Sequence, residues 1–225
     1  MGLNQLISVL MISASLLNQS MMVALPDKNM EGTLFLINRE HAVSEYFTPS
    51  VRKVIASGMS QSMRDDAATA LEEMFAAAKK EGVSLSVVSG YRSYSKQATI
   101  YNRKVKSTGS AEKADELVAR PGTSEHQLGL AMDVGSAKSS ALTSSFGKTK
   151  EGKWLRENAH RFGFIIRYLE GYEEITGYSY EPWHVRYIGK ELSEKVFLTG
   201  LPFESFMNDY KLEVFDYLIH QEYEE

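Results

Sequence analysis

The sequence contains no cysteine, and this absence limits the chemistry that the chain can carry. It excludes both a disulfide framework and a metal site built on thiolates. Any metal ion bound by the chain would therefore need histidine, aspartate or glutamate ligands. Basic residues are not in excess either. The chain has 25 Lys and Arg against 29 Asp and Glu, and this net charge of −4 argues against nucleic acid as a partner.

Long hydrophobic runs are also missing, apart from a short apolar stretch near the start. Residues 6–17 are apolar except for three serines. This length suits the core of a signal peptide better than a membrane span. Because the first basic residue is Lys28, the positively charged start of such a leader is absent. We interpret residues 1–27 either as a leader or membrane anchor, or as an N-terminal extension that packs as a core or interface helix.

The rest of the chain has the composition of one globular domain. Of its 225 residues, 43% are hydrophobic and 24% are charged, which is ordinary for a folded domain of this length. We expect residues 28–202 to form this domain. The amphipathic and acidic residues 203–225 are expected to form a helical tail that packs against it, and the protein is expected to be a monomer.

The spacing of apolar residues predicts helices and strands that are interspersed along the chain. Residues 65–80 show helical spacing, because Leu71, Met74 and Phe75 share one face and Gly82 follows as a terminator. Further helices are predicted over residues 94–105, 111–119, 153–162 and 191–198, and strands over residues 33–37, 83–88, 128–134, 164–168 and 183–188. Since no regular βαβ repeat is present, we predict an α+β fold with a small antiparallel or mixed sheet flanked by helices.

Three short segments carry the residues that indicate a function. They are SGYRS at residues 89–93, SEHQLGLAMD at residues 124–133 and EPWH at residues 181–184. His126, Asp133 and His184 offer two imidazoles and one carboxylate. A catalytic zinc needs three such ligands beside an open position for water. Asp133 lies within an apolar run, and a buried carboxylate needs a partner, for which a cation is one candidate.

The spacing of these residues sets a condition on the site. His126 and Asp133 are seven residues apart and would point to opposite faces of an unbroken strand. A bend at Gly129, or a loop position for His126, removes the conflict. Glu181 and His184 raise the same question, and Pro182 offers an irregularity between them.

Glu181 and Arg92 are the candidates for the chemical step. Glu181 lies three residues from a proposed ligand, so its carboxylate can reach a water molecule at the metal and take its proton. Arg92 follows a predicted strand and a glycine turn, where a guanidinium group can make a two-pronged contact with a carboxylate such as a peptide's free C-terminus. Tyr91 and Trp183 are candidates for the wall of a peptide cleft, with core packing as the alternative for both.

The three motifs, in this order, resemble those of the VanY-type D-alanyl-D-alanine carboxypeptidases. That family belongs to a zinc peptidase superfamily which also contains VanX-type dipeptidases and L,D-carboxypeptidases, and the resemblance extends over about residues 32–210. It implies Zn²⁺ as the cofactor, Glu181 as the catalytic base, and Arg92 at the substrate carboxylate or the developing oxyanion. The implied zinc ligands are His126, Asp133 and His184. The positions that match the surroundings of the family's substrate pocket are Gln97, Arg120 and Ser124.

The resemblance also implies a substrate and a location. The substrate would be a peptidoglycan pentapeptide stem ending in D-alanine, from which the terminal D-alanine is removed. The protein would act outside the cytoplasmic membrane, either secreted or anchored through its N-terminus. Three alternatives stay open: an L,D-carboxypeptidase acting on tetrapeptide stems, an endopeptidase that cleaves cross-bridges, and a non-catalytic cell-wall binding module on the same fold.

Overall fold

The structure is a computed structural model that describes residues 32–221 of the chain. Side chains are described as far as Glu213. The apolar stretch at residues 6–17 and the proposed leader or anchor lie outside the described residues, as does the end of the predicted tail. Within residues 32–221, no helix has both the length and the apolar character that crossing a membrane requires.

A small antiparallel sheet lies at the centre of the described chain. The strands are β1 (Arg52–Lys53), β2 (Ser62–Met63), β3 (Leu85–Ser89), β4 (Ala131–Ser136), β5 (Phe164–Tyr168) and β6 (Glu181–Tyr187). The central sheet has four strands in the order β3-β4-β6-β5, and every neighbouring pair is antiparallel. The remaining two strands, β1 and β2, pair with each other. The predicted α+β class with a small antiparallel sheet is therefore confirmed.

Helices flank the central sheet. They are α1 (Asp65–Lys80), α2 (Tyr94–Thr108), α3 (Ala111–Asp115), α4 (Lys150–Asn158), α5 (Glu173–Thr176), α6 (Lys190–Thr199) and α7 (Phe203–Gln221). Short 3₁₀ turns occupy Glu125–Leu128, Ser144–Lys148 and Ala159–Phe162. Helix α1 has the bounds that the apolar spacing predicted. Helix α2 begins where the side chain of Ser93 accepts a hydrogen bond from the backbone N–H of Lys96 at 3.3 Å.

The two faces of the sheet have different characters, because successive side chains on a strand alternate. One face belongs to the main apolar core, which includes Met132 and Val185 from the sheet and the buried side of α1. The neighbouring residues on the same strands, Asp133 and His184, point to the other face. That second face therefore carries the polar side chains from which a site can be built.

Several predicted elements are present with shifted bounds, such as the predicted strand at residues 128–134, which is β4 (Ala131–Ser136), and two further predictions differ from the structure. Residues 33–37 were predicted as a strand, but they form a turn followed by a segment without regular secondary structure. The backbone carbonyls of Thr33 and Phe35 accept hydrogen bonds from the guanidinium of Arg186, at 2.9 and 2.8 Å, instead of from a neighbouring strand. The predicted helix over residues 111–119 ends at Asp115, whose carboxylate is held by Arg120 at 2.8 and 2.6 Å.

The described part of the predicted tail is helix α7. Its first turns are buried through Phe203, Phe206 and Met207, which pack with Leu36 and Ile165 in a second apolar cluster. This part of the tail therefore packs on the domain, whereas the domain boundary at residue 202 stays a prediction.

Candidate metal centre

Two neighbouring strands bring Asp133 and His184 together. Asp133 on β4 pairs in register with His184 on β6. Directly opposite residues on antiparallel strands project from the same face of a sheet. Oδ1 of Asp133 lies 3.0 Å from Nδ1 of His184, and both side chains are buried. The register of the sheet alone thus sets the distance between two of the three predicted ligands.

His126 approaches the same point from a turn that precedes β4. The 3₁₀ turn Glu125–Leu128 ends at Gly129, whose φ of +70° is a left-handed conformation that glycine adopts without strain. A Cβ atom at this position would also lie only 2.9 Å from Cγ1 of Val51. Because the chain bends here, His126 and Asp133 face each other, with Nε2 of His126 3.3 Å from Oδ2 of Asp133.

A bulge in β6 places Glu181 beside His184. Ile166 of β5 pairs with Val185, but Tyr168 pairs with Glu181, so β6 advances by four positions where β5 advances by two. This irregularity lies next to Pro182, and it lets the side chains of Glu181 and His184 point to the same face of the sheet although they are three residues apart. Oε2 of Glu181 lies 3.7 Å from Nδ1 of His184.

The geometry of these groups fits a single small cation. His126, Asp133 and His184 each offer one donor atom, and the three atoms lie within 4.8 Å of one another. The Asp133 oxygens lie 3.0 and 3.3 Å from the two imidazole nitrogens. Donors on a tetrahedral zinc with bonds of about 2.0–2.1 Å would be about 3.4 Å apart. Nδ1 of His126 faces the backbone carbonyl of Gly90 at 2.8 Å, so its other nitrogen is the one aimed at this point.

The local charges also favour a cation at this point. Burial opposes ionisation of Asp133, but the neighbouring His126 and His184 outweigh it and hold the pKa of Asp133 below its ordinary value. Burial also disfavours the imidazolium of His184. Its hydrogen bonds to Asp133 and Glu125 nevertheless raise its pKa to about 10. Burial lowers the pKa of His126, which keeps this imidazole neutral and available as a ligand.

Glu181 has the protonation behaviour expected of a general base. Burial raises the pKa of Glu181 to about 7, although the nearby His184 acts in the opposite direction. A carboxyl group with a pKa near neutrality can both accept and return a proton at physiological pH. Glu181 is not one of the three residues that offer donor atoms to a metal ion, so its carboxyl group is available for proton transfer beside them.

Arg92 lies across the same cleft and is held by two hydrogen bonds. It donates from Nη1 to Oε1 of Gln97 at 2.7 Å and from Nη2 to Oγ of Ser89 at 2.8 Å. Burial lowers the pKa of Arg92, while the carboxylates of Asp133 and Glu181 favour its charged form. These bonds use two of the five guanidinium N–H donors, so a fixed positive group faces the cleft.

The cleft has a volume of about 260 Å³ and holds most of the predicted pocket residues. Besides the ligand and base positions it is lined by Arg92, Gln97, Ser124 and Trp183, and further by Leu117, Val118, Leu142, Tyr168 and Tyr178. The structure does not bring Tyr91 or Arg120 to this cleft. Arg120 is largely exposed, pairs with Asp115 and lines an adjoining cavity.

A buried group of charged residues beneath the site was not predicted from the sequence. Glu125 accepts hydrogen bonds from Arg167 and Arg186, both at 2.7 Å, and Arg167 also donates to Glu204 at 2.8 and 2.6 Å. The other carboxylate oxygen of Glu125 lies 3.2 Å from Nε2 of His184. One signal was available, because Arg167 and Arg186 interrupt apolar strands where a charge needs a partner.

Two histidines and an aspartate around one point, with a further carboxylate beside them in a cleft, form the arrangement that a mononuclear metallopeptidase uses. The family model described as VanY, D-alanyl-D-alanine carboxypeptidase, matches residues 60–190. The chain therefore belongs to this family and is a peptidase of the VanY-type zinc peptidase superfamily, as the motifs predicted.

Three similar proteins illustrate the breadth of the superfamily. A D-alanyl-D-alanine carboxypeptidase of Enterococcus faecalis is 39% identical over 191 residues, which cover 80% of this chain and 68% of that protein. The LdcB LD-carboxypeptidase structure has a TM-score of 0.76 at 42% identity, covering 80% and 88% of the two chains. A mutant of the vancomycin resistance D,D-pentapeptidase VanY, in complex with Zn(II), has a TM-score of 0.68 at 36% identity, covering 78% and 98%.

Proposed function

We propose that the protein is a zinc-dependent D-alanyl-D-alanine carboxypeptidase that removes the terminal D-alanine from peptidoglycan pentapeptide stems. The observation that carries this proposal is the convergence of His126, Asp133 and His184 on one point, with Glu181 3.7 Å from the last of them. The three donors would hold Zn²⁺, and the similar VanY structure is in complex with Zn(II). A zinc ion bound there supplies a Lewis acid that polarises the scissile carbonyl and lowers the pKa of water.

The residues of the chain supply the proton transfers. Glu181 accepts a proton from the attacking water, whose oxygen forms the new bond to the carbonyl carbon. When the C–N bond breaks, Glu181 returns that proton to the leaving amine of D-alanine, so the carboxylate is regenerated. Its pKa of about 7 suits both steps.

Arg92 holds the negative charge of the substrate. Its guanidinium is fixed by Gln97 and Ser89, so little side-chain entropy is lost when it binds an anion. The free carboxylate of the terminal residue is the anion that every carboxypeptidase substrate carries at its reacting end. A fixed cation at this position would favour cleavage at the end of a chain over cleavage within one.

An L,D-carboxypeptidase acting on tetrapeptide stems is the second candidate. The similarity to the LdcB LD-carboxypeptidase supports it, because its TM-score of 0.76 at 42% identity exceeds the TM-score of 0.68 at 36% identity for VanY. Both activities would use the same metal ligands and the same base. They would differ in the shape of the cleft around the residue that precedes the scissile bond.

Mass spectrometry of defined muropeptides separates these candidates. The purified protein is incubated with pentapeptide and with tetrapeptide stems, each with and without a chelator. Release of D-alanine from the pentapeptide, abolished by the chelator, is the expected result. Release from the tetrapeptide alone would replace the D,D assignment with the L,D activity. Cleavage of cross-linked dimers instead would indicate an endopeptidase, and zinc binding without any cleavage would indicate a binding module.

The location of the substrate bears on the location of the protein. Peptidoglycan stems are displayed outside the cytoplasmic membrane, so we propose that the protein acts there. Residues 1–27 would serve as the leader or the anchor that this location requires. We also propose that the protein is a monomer. Fractionation of cells that express the full chain, followed by size-exclusion chromatography, tests both statements.

A further inference from the structure

We infer that Glu125 is a positioning residue of the metal site: it accepts the Nε2 hydrogen of His184 and so presents Nδ1 of that imidazole to the metal ion. This inference rests on the zinc site of the proposed function. It assigns a role to a residue that does not bind the metal itself. Glu125 acts through His184, and Arg167 and Arg186 hold Glu125 in place.

The two oxygens of Glu125 have different partners. Oε2 lies 3.2 Å from Nε2 of His184, whereas Oε1 accepts hydrogen bonds from Arg167 and Arg186, both at 2.7 Å. The Glu125 side chain has no exposed surface, and neither guanidinium group has any. An ionised carboxylate can only accept hydrogen bonds, so the hydrogen shared with His184 must lie on Nε2.

The charges of the group balance, which allows it to be buried. Glu125 and Glu204 provide two carboxylates, and Arg167 and Arg186 provide two guanidinium groups. Arg186 also donates to two backbone carbonyls of the segment that precedes β1. A buried carboxylate without such partners would be costly, and one with them is rigid. The group therefore has the fixed geometry that an outer-shell partner of a metal ligand needs.

The second ligand imidazole is oriented in the opposite sense. Nδ1 of His126 faces the carbonyl of Gly90, which can only accept, so His126 carries its hydrogen on Nδ1 and offers Nε2. With a metal ion bound, His184 would keep its hydrogen on Nε2 and offer Nδ1. Each of these nitrogens lies within 3.3 Å of an oxygen of Asp133. The two histidines thus require opposite tautomers, and Glu125 selects the one that His184 needs.

The alternative role for this group is purely structural, since Glu204 lies in the first turn of helix α7 and ties this helix to the sheet through Arg167. Two variants separate the roles. In Glu125→Gln, the guanidinium groups retain the amide oxygen because they only donate. The amide NH₂ then faces Nε2 of His184 and favours a hydrogen on Nδ1, where it opposes the metal. Glu204→Gln disturbs the same buried group but does not contact His184.

Zinc affinity is measured for both variants and for the full unmodified chain by competition with a chromophoric chelator. We expect the dissociation constant of Glu125→Gln to rise about 10- to 100-fold, as is usual for an outer-shell partner, and that of Glu204→Gln to change less than about threefold. Thermal unfolding of the zinc-free proteins reports the structural cost in each. Equal losses of affinity in the two variants would overturn the inference.

A second measurement needs no variant and decides the matter if Glu125→Gln does not fold. Nitrogen-15 spectra of the histidine-labelled, zinc-loaded protein report which ring nitrogen carries each hydrogen. We expect one ligand histidine with its hydrogen on Nδ1 and one with its hydrogen on Nε2. Two ligand histidines with the hydrogen on Nδ1 would refute the role of Glu125. An unmodified chain that binds no zinc would instead refute the proposed function.

Discussion

Replacing Glu181 by glutamine removes the proposed base and keeps the size of the side chain. General base catalysis typically contributes about 10²- to 10⁴-fold, so kcat/KM for D-alanine release should fall by that factor, or by about 3–5 kcal/mol of transition-state stabilisation. Glu181 is not one of the three donor residues, so the zinc content should stay near one ion per chain. A coupled assay for D-alanine and elemental analysis of the same sample measure both quantities.

The same substitution should make the zinc-free protein more stable at alkaline pH. The pKa of Glu181 is raised from 4.5 to about 7 in the folded state, so the folded protein binds this proton more tightly than the unfolded chain does. Stability from this group is therefore complete below about pH 4.5 and is lost as the pH rises through 7. After a discount for partial exposure, the loss is about 2 kcal/mol.

Thermal unfolding at two pH values tests this second effect. At pH 8, zinc-free Glu181→Gln should unfold about 4–8 °C above the unmodified protein, and at pH 4 the two should unfold together. A variant that keeps activity within tenfold would refute the role of Glu181 as the base. A variant that is no more stable at pH 8 would refute the view that burial of its carboxylate raises the pKa. The two outcomes are independent, because one concerns the reaction and the other the folded state.

The remaining predictions concern the metal, the substrate anion and the bend at Gly129. Removal of zinc by a chelator should abolish activity and lower the unfolding temperature, and added zinc at 100 times its dissociation constant should restore about 2.7 kcal/mol. Arg92→Lys should raise KM and lower kcat/KM about 10- to 100-fold, because lysine lacks the two-pronged geometry held by Gln97 and Ser89. Gly129→Ala should destabilise the fold by about 1–3 kcal/mol and weaken zinc binding, since it strains a positive φ and meets Val51.

Matched controls sharpen the two mutational tests. Arg156→Lys changes an exposed arginine outside the cleft and should leave KM unchanged. Gly109→Ala places a side chain at a similar positive φ of +74°, but with nothing within 4 Å of the new Cβ, so it should cost stability without altering zinc affinity. Equal zinc affinity in the Gly129 and Gly109 variants, or an unchanged KM in Arg92→Lys, would contradict these predictions. Zinc-independent activity would contradict the metal site itself.

Local patterns predicted much of the fold because they depend on neighbours in the sequence. The spacing of Leu71, Met74 and Phe75 was enough to predict α1 with its observed bounds, and the apolar run at residues 164–168 was enough for β5. Residues 33–37 have the same β-rich composition, yet they are not a strand. Strand formation also needs a free partner edge, and β-propensity does not report whether one is available.

The unpredicted parts of the site depend on contacts between distant residues. Glu125 meets Arg167 and Arg186, which are 42 and 61 residues further along the chain, so no short motif contains the group. Arg120 is the opposite case. It matched a pocket position, but it pairs with Asp115 and lines an adjoining cavity, so its role in substrate binding stays a prediction. The charge of a single residue was visible in the sequence, whereas its partner was set by the tertiary fold.

The site can hold many charged groups because one face of the sheet carries apolar side chains and the other carries polar ones. On β4 and β6, Met132 and Val185 pack in the apolar core, while their neighbours Asp133 and His184 face the opposite side. A one-residue slip of the β4–β6 register would turn the ligands into the core and the apolar residues into the cleft. Burial of the apolar face therefore stabilises the same register that aligns the metal ligands, so core packing and ligand geometry are set by one pairing of strands.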